Sequence, residues 1–308
     1  MKRKICIIIL QLFIIISLTS AQNEYNTWYF GHKAGMHFNS GSPVALMDGQ
    51  LNSLEGSAVI CDDSGNILFY TNGMEIWDRS HNIMPNGSMM LGDSSSTCAA
   101  VIVQHPGNDS LYYVFIPNKT GIGGTEFSYS IVNINLNGGL GDVSSKNNLL
   151  FSKSTEKVAA IRKCNGEFWI LAHELLSNNF YAYEVTSSGL NTTPVISAAG
   201  ESHGNELFDA YAARGQMQFS PDGKKVACAV FGNAGEDTVE VLNFDINTGV
   251  VSDTGSVVIP ASRLPVNVYG LEFSPNSELL YVGGWMTDTL FQFNLSAGAA
   301  ADVINSRQ

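Results

Sequence analysis

The chain has 308 residues, with 16 Lys+Arg against 28 Asp+Glu and a formal net charge of −12. So acidic a surface repels phosphate backbones, and no basic stripe offsets it, which counts against nucleic acid as a partner. A chain of this length can bury a large core without disulfide or metal staples.

Lys2, Arg3 and Lys4 precede an almost unbroken apolar run from Ile5 to Leu18, and Thr19-Ser20-Ala21 supplies small residues before Gln22. This is the layout of a secretory signal peptide, residues 1–21, cleaved after Ala21. A membrane span needs about 20 apolar residues, so the run is short for an anchor, and no transmembrane segment follows it. Cys6 lies inside the run and not at the cleavage point, which counts against a lipid-modified N-terminus. Cleavage removes three basic residues and leaves 13 against 28 acidic ones, a net of −15. The expected product is therefore an exported, secreted protein.

Trp28-Tyr29-Phe30 and Met36-His37-Phe38 read as strands left over before the first repeat, an orphan of the kind that completes the last blade of a closed propeller. A repeat then starts: a strand, a tight polar turn, and a second strand rich in aromatics. Ser57 to Ile60 leads through Asp62-Asp63-Ser64-Gly65-Asn66 into Ile67 to Tyr70. Ala99 to Val103 leads through Pro106-Gly107-Asn108 into Leu111 to Phe115. Val158 to Ile161 leads through Asn165-Gly166 into Phe168 to Leu171. Met217 to Phe219 leads through Ser220-Pro221-Asp222-Gly223 into Val226 to Val230. Leu271 to Phe273 leads through Ser274-Pro275-Asn276 into Leu279 to Val282.

Each unit adds a third strand: Glu75 to Trp77, Ser128 to Val132, Phe180 to Val185, Val239 to Phe244 and Leu290 to Phe293. A fourth follows a glycine turn at Thr248-Gly249-Val250-Val251. The turns carry Gly and Asn, which supply positive φ, and Pro, which pre-sets φ at the first turn position. Units start about 40 to 60 residues apart, the period of four-stranded propeller blades. Helical periodicity is confined to Glu206–Arg214. The expected fold is an all-β propeller over residues 22–308, one domain, with about five readable four-stranded blades. The last unit runs out at Asp302-Val303-Ile304, so the expected ring is incomplete at its C-terminal end.

Cys61, Cys98, Cys164 and Cys228 lack the CxxC spacing of zinc knuckles. Each lies in or beside an apolar run and reads as a buried small hydrophobe. An oxidising compartment also permits disulfides, in three full connectivities.

Asn26-Thr27-Trp28-Tyr29-Phe30-Gly31, Glu55-Gly56-Ser57-Ala58, Leu68-Phe69-Tyr70-Thr71-Asn72-Gly73, Asn137-Gly138-Gly139-Leu140-Gly141-Asp142 and Tyr269-Gly270-Leu271-Glu272-Phe273 carry a resemblance. The chain resembles the N-terminal propeller region of large secreted Bacteroidota proteins, which often carry PKD-type repeats and a gliding-motility-associated or type IX secretion C-terminal domain. The resemblance covers residues 26 to about 300. It implies a seven-bladed propeller of quinoprotein, YVTN or WD40-like kind, secreted or at the outer-membrane cell surface, and it brings no activity with it.

Gly200-Glu201-Ser202-His203-Gly204 fits G-x-S-x-G, but a nucleophile elbow needs a strand and helix of an α/β sheet. In all-β surroundings it reads as a polar inter-blade loop. Gly138 to Asp142 reads as a hairpin turn, because a calcium β-helix needs stacked copies of its motif. Asp62 to Asn66 lacks the spacing and closing Glu of an EF-hand loop. The six histidines, His32, His37, His81, His105, His173 and His203, form no HExxH. His173 ends an apolar strand and is the one best placed for a channel position, with a hydrogen-bonded structural role as the plainer reading.

Glu55, Glu156 and Glu272 stand just before or within innermost strands, which line a propeller channel. Converging, they would bind a divalent cation or act as acid and base. Separately, each would accept backbone hydrogen bonds and lock a blade. No catalytic residue, metal ligand or cofactor is otherwise expected. The leading functional expectation is a non-enzymatic binding or scaffold module for an extracellular protein or polysaccharide. The alternative is a lactonase-like or other hydrolase with a metal or acid/base site in the channel. A third reading is a spacer in a long surface adhesin.

Overall fold

The computed structural model describes residues 23–118, 126–204, 210–232 and 237–308. The expected signal peptide, residues 1–21, lies outside the described residues. Strands dominate and form six antiparallel sheets in chain order. The first holds β1 (Thr27–Phe30), β2 (Ala34–His37) and β3 (Val44–Leu46). The second holds β4 (Ala58–Cys61), β5 (Ile67–Thr71) and β6 (Ile76–Asp78). The third holds β7 (Val101–His105), β8 (Asn108–Pro117), β9 (Phe127–Asn133) and β10 (Asp142–Phe151). The fourth holds β11 (Ser154–Arg162), β12 (Phe168–Glu174), β13 (Asn179–Thr186), β14 (Gly189–Leu190) and β15 (Val195–Ala198). The fifth holds β16 (Met217–Phe219), β17 (Lys225–Val230), β18 (Thr238–Asp245) and β19 (Val250–Pro260). The sixth holds β20 (Val268–Phe273), β21 (Leu279–Gly284) and β22 (Leu290–Asn294).

Strand periodicity explains how the sheets stack. Successive side chains point to opposite faces, so the middle strands feed two cores at once. On β8, Val114 packs with Ile60, Phe69 and Ile102 toward the second sheet. Its neighbours Tyr113 and Phe115 pack with Ile170 and Tyr183 toward the fourth. On β17, Val226 and Cys228 meet Leu171 and Phe180 of the fourth sheet. Ala227 and Ala229 meet Leu271 and Val282 of the sixth. The first sheet joins through Tyr29, stacked on Tyr70, which stacks on Trp77. Burying side chains of this size contributes about 1.5–3 kcal/mol each.

The first strands of consecutive sheets touch in turn: β1 with β4, β4 with β7, β7 with β11, β11 with β16, and β16 with β20. Meander sheets arranged this way around a channel are the blades of a β-propeller. Asp62 secures the β4–β5 turn by accepting the amides of Ser64 and Asn66, both at 2.9 Å.

Two expectations change. Trp28–Phe30 and Met36–Phe38 are not an orphan left over from a distant blade. Thr27–Phe30 and Ala34–His37 pair with each other and with β3, and Tyr29 docks them on the second sheet. Five units plus an orphan strand therefore become six sheets. The run at Asp302-Val303-Ile304 is α1 (Ala300–Asn305), a short helix whose Val303 is buried against the fifth and sixth sheets. Ala210–Ala213 is a single 3₁₀ turn; the rest of the expected helical stretch lies mainly outside the described residues.

Candidate functional site

The channel has two ends of different chemistry. At the end where the innermost strands begin, a polar network crosses from sheet to sheet. Thr97 is its hub. Its amide and its hydroxyl both donate to Glu156 Oε2 at 2.9 Å. Its Oγ lies 2.7 Å from the Tyr269 hydroxyl and accepts the Gly215 amide at 3.2 Å. Tyr269 also donates to Glu55 Oε2, and Ser95 Oγ donates to Glu55 Oε1 at 3.0 Å. Burial, then the Glu55 carboxylate, push the Tyr269 phenol up, so it stays a donor. Lys157, next to Glu156 on β11, is fully buried and caps the Ala212 and Arg214 carbonyls at 2.9 and 2.5 Å. Burial lowers its ammonium to about 8.

Behind Lys157 lies a buried histidine pair. His203 Nε2 is 3.1 Å from Glu240 Oε2, with both side chains fully buried. The Glu201 amide donates to Glu240 Oε1 at 2.7 Å. Burial raises Glu240 to about 7 and holds both imidazoles well below 6.5. Burial thus favours the neutral form of each partner and works against a charged pair. His173 stacks on His203 with ring centroids 3.7 Å apart. Neither ring nitrogen of His173 has a hydrogen-bond partner among the described residues.

The other end of the channel, where the innermost strands turn, opens into a cavity of about 1400 Å³. It runs back along the strands to Ser57, Cys98 and Val158, just short of the polar network. Its mouth carries Tyr25 and Trp28 from the N-terminal segment, Asp63 from the β4–β5 turn, Asp109 from β8, and Arg162 from the end of β11.

The sequence candidates separate accordingly. Glu55 and Glu156 meet in one network, through Thr97 and Tyr269 and not through a shared ion. Glu272 does not join them: it is exposed on β20. No group of three or more His, Cys, Asp or Glu side chains that could hold a metal ion forms among the described residues. The three carboxylates therefore do not make the donor set expected of a channel cation, and no chemistry is routed through one. His173 is buried away from the cavity, and its ring is stacked where hydrogen bonds were expected. Cys61 and Cys228 are buried as expected, but Cys164 sits exposed in the β11–β12 turn, and all four cysteines are free thiols. Gly138–Asp142 makes the expected turn between β9 and β10, with Gly138, Gly139 and Gly141 at positive φ.

Sequence reading missed Thr97, Lys157, His203 and Glu240. One signal was present for two of the network's members. Ser154-Thr155-Glu156-Lys157 places four polar residues ahead of the apolar run Val158 to Ile161 on one strand, and all four are buried.

Neither a protein-family model nor a curated protein matches the chain. Among solved structures, the chain is similar to a candidate 6-phosphogluconolactonase from Bacteroides uniformis, at 12% identity and TM-score 0.49 over 85% of this chain and 73% of that one. A functionally unknown protein from Desulfotomaculum acetoxidans matches at 14% identity and TM-score 0.49, over 91% and 86% of the two chains. The WD40 domain of Toxoplasma gondii coronin matches at 12% identity and TM-score 0.42, over 90% and 69%. Likeness at this level carries nothing about ligand or reaction, and the propeller stands on its own sheet order and inter-sheet cores.

Proposed function

We propose that this chain is an exported, non-enzymatic propeller that binds an extracellular polysaccharide or protein in the turn end of its channel. The observation that carries it is the contrast between the two ends. One is crossed by bonded polar groups tied to each other and to backbone; the other is an open cavity of about 1400 Å³ with aromatic, carboxylate and guanidinium groups at its mouth. Sites of this kind mix apolar walls with a few placed polar groups. Export is supported by the layout of residues 1–21, and surface display by the resemblance to Bacteroidota surface proteins.

The network end does not favour the hydrolase alternative. Its two carboxylates are held by Ser95, Thr97 and Tyr269, and the third carboxylate that reading needs is elsewhere.

The test is binding by residues 22–308 to soluble polysaccharides and to displayed peptides, repeated with Ala160→Trp. Ala160 lines the cavity from β11, so an indole there narrows the channel at its wall. Binding that Ala160→Trp abolishes supports the proposal. Binding indifferent to it, or turnover of lactone or ester substrates that disappears with Glu55→Gln, overturns it.

A further inference from the structure

We propose that the turn end of the channel is a saccharide site for neutral sugar chains, with Trp28 and Tyr25 as its stacking platform. This rests on the reading of the channel as the ligand site and goes further by naming the ligand class.

Trp28 is 49% exposed, unusual for a residue that is highly buried on average. It is nevertheless fixed. Its Nε1–H donates to the Tyr25 carbonyl at 2.8 Å, and its ring packs on Phe38 with centroids 4.9 Å apart. The one polar atom of the indole is thereby satisfied by backbone, and a bare ring is presented at the cavity wall. Tyr25, three residues earlier, is 55% exposed and lines the same wall.

The segment that carries both is tied down on each side. Asn23 Nδ2 donates to the Asp63 carbonyl at 3.1 Å, and Thr27 Oγ donates to the Gly65 carbonyl at 3.4 Å. A platform held before the ligand arrives costs little ordering entropy on binding. Aromatic rings offer large contact area for few rotors, and the C–H faces of a pyranose are flat apolar surfaces of matching size.

The hydroxyls of a sugar need acceptors and forked donors. Asp63 and Asp109 supply carboxylates, Arg162 a guanidinium, and Gln218 a primary amide, all in the cavity lining. The volume of about 1400 Å³ exceeds the roughly 300–1,000 Å³ of drug-sized sites, which suits several sugar units better than one. Charge then selects among sugars. Glu24, Asp62, Asp63 and Asp109 outnumber Arg162 in that lining, so uronates and sulfated chains are repelled.

The experiment is affinity electrophoresis of residues 22–308 through gels containing soluble β-glucan, glucomannan, dextran or polygalacturonate. Retardation by at least one neutral polymer and none by polygalacturonate is expected. Trp28→Ala and Tyr25→Ala should each weaken that retention tenfold or more with the thermal melt retained. Trp285→Ala, an exposed tryptophan outside the cavity lining, should leave it unchanged. Retention by none of the neutral polymers, retention by polygalacturonate, or retention that survives both aromatic substitutions overturns the inference. A displayed-peptide library enriched on the wild-type chain but not on Ala160→Trp would also overturn it while leaving the channel a ligand site. Loss of both arms removes the two readings together.

Discussion

The Tyr269 hydroxyl, on β20, donates to the Glu55 carboxylate across 214 residues of sequence. The bond ties the sixth sheet to the loop ahead of β4, where no buried apolar cluster spans the two among the described residues. Tyr269→Phe removes it while Glu55, exposed, turns to water. A net loss of about 1 kcal/mol is expected, read as a lower urea midpoint with an unchanged slope, together with faster amide exchange on β20. An unchanged midpoint would show that this hydrogen bond adds nothing to closure.

Thr97→Val acts on the same network from its buried side. The Thr97 hydroxyl serves Glu156, Tyr269 and Gly215, and Glu156 is only 1% exposed. Glu156 keeps the Thr97 amide but loses the hydroxyl, and a hydrogen bond to a carboxylate contributes about 1.5–3 kcal/mol. Thr97→Val is therefore expected to destabilise more than Tyr269→Phe. In the double variant the two losses should fall short of additive, since both act on one contact.

Gly200 has φ +68°, and a Cβ there would lie 2.5 Å from Glu240 Oε1. Gly200→Ala thus combines left-handed backbone strain with a clash against a buried carboxylate, and a cost of about 2–4 kcal/mol is expected. Ser202, on the same loop, donates from its hydroxyl to the Gly204 carbonyl at 3.2 Å and to no other group among the described residues. Ser202→Ala should lie within about 0.5 kcal/mol of wild type and leave ligand retention intact. That pattern of melts would assign the G-x-S-x-G run the role of seating Glu240, with Gly200 as its sensitive position.

Much of the fold was legible because its causes are local. Alternation on β8 and β17, and turn residues such as Asp62 and Gly65, fix strands and hairpins within a dozen residues. What stayed hidden depends on distant pairing. Trp28–Phe30 reads as a strand, but only Tyr29 stacking on Tyr70 decides which blade it joins. Asp302–Ile304 alternates weakly enough to pass for strand or helix until Val303 finds the core of the fifth and sixth sheets. Glu55 and Glu156 were visible as polar residues next to apolar strands. Their link through Thr97 and Tyr269 spans sheets and leaves no pattern in sequence, and the same holds for His203 against Glu240.

The four free thiols differ in reach. Cys164 is exposed, whereas Cys61 and Cys228 are buried and Cys98 is half-buried. Burial pushes the Cys98 thiol up to about 12 and the Cys228 thiol higher still, and the thiolate is the reactive form. In residues 22–308, which lack Cys6, a disulfide-exchange reagent should titrate one thiol per native chain within minutes, lost in Cys164→Ser, and four in denaturant. Fewer than four in denaturant without reductant would reveal a disulfide.

His173 gives the chain an acid-sensitive core. Burial, together with the neighbouring His203 and Lys157, holds its imidazole well below 6.5, and His203 is held low in the same way. The unfolded chain takes up protons near pH 6.5 that the folded chain refuses, so stability falls as pH drops below that value. Glu240 works in the opposite sense. Its pKa is raised to about 7 by burial, so its contribution is full below about pH 4.5 and is lost as pH rises through 7. Between pH 6.5 and 5 two imidazoles oppose one carboxyl, and the melting temperature should decline. His173→Phe keeps the stack on His203 and the edge contact to Phe180, and it removes two ring nitrogens that have no partner among the described residues. An apolar replacement of an unpaired buried polar group is neutral to stabilising, so the melting temperature at pH 7 should hold or rise by a few degrees. The decline toward pH 5 should flatten, because one of the two opposing imidazoles is gone. A variant that melts lower at pH 7 and keeps the wild-type acid slope would place the sensitivity elsewhere.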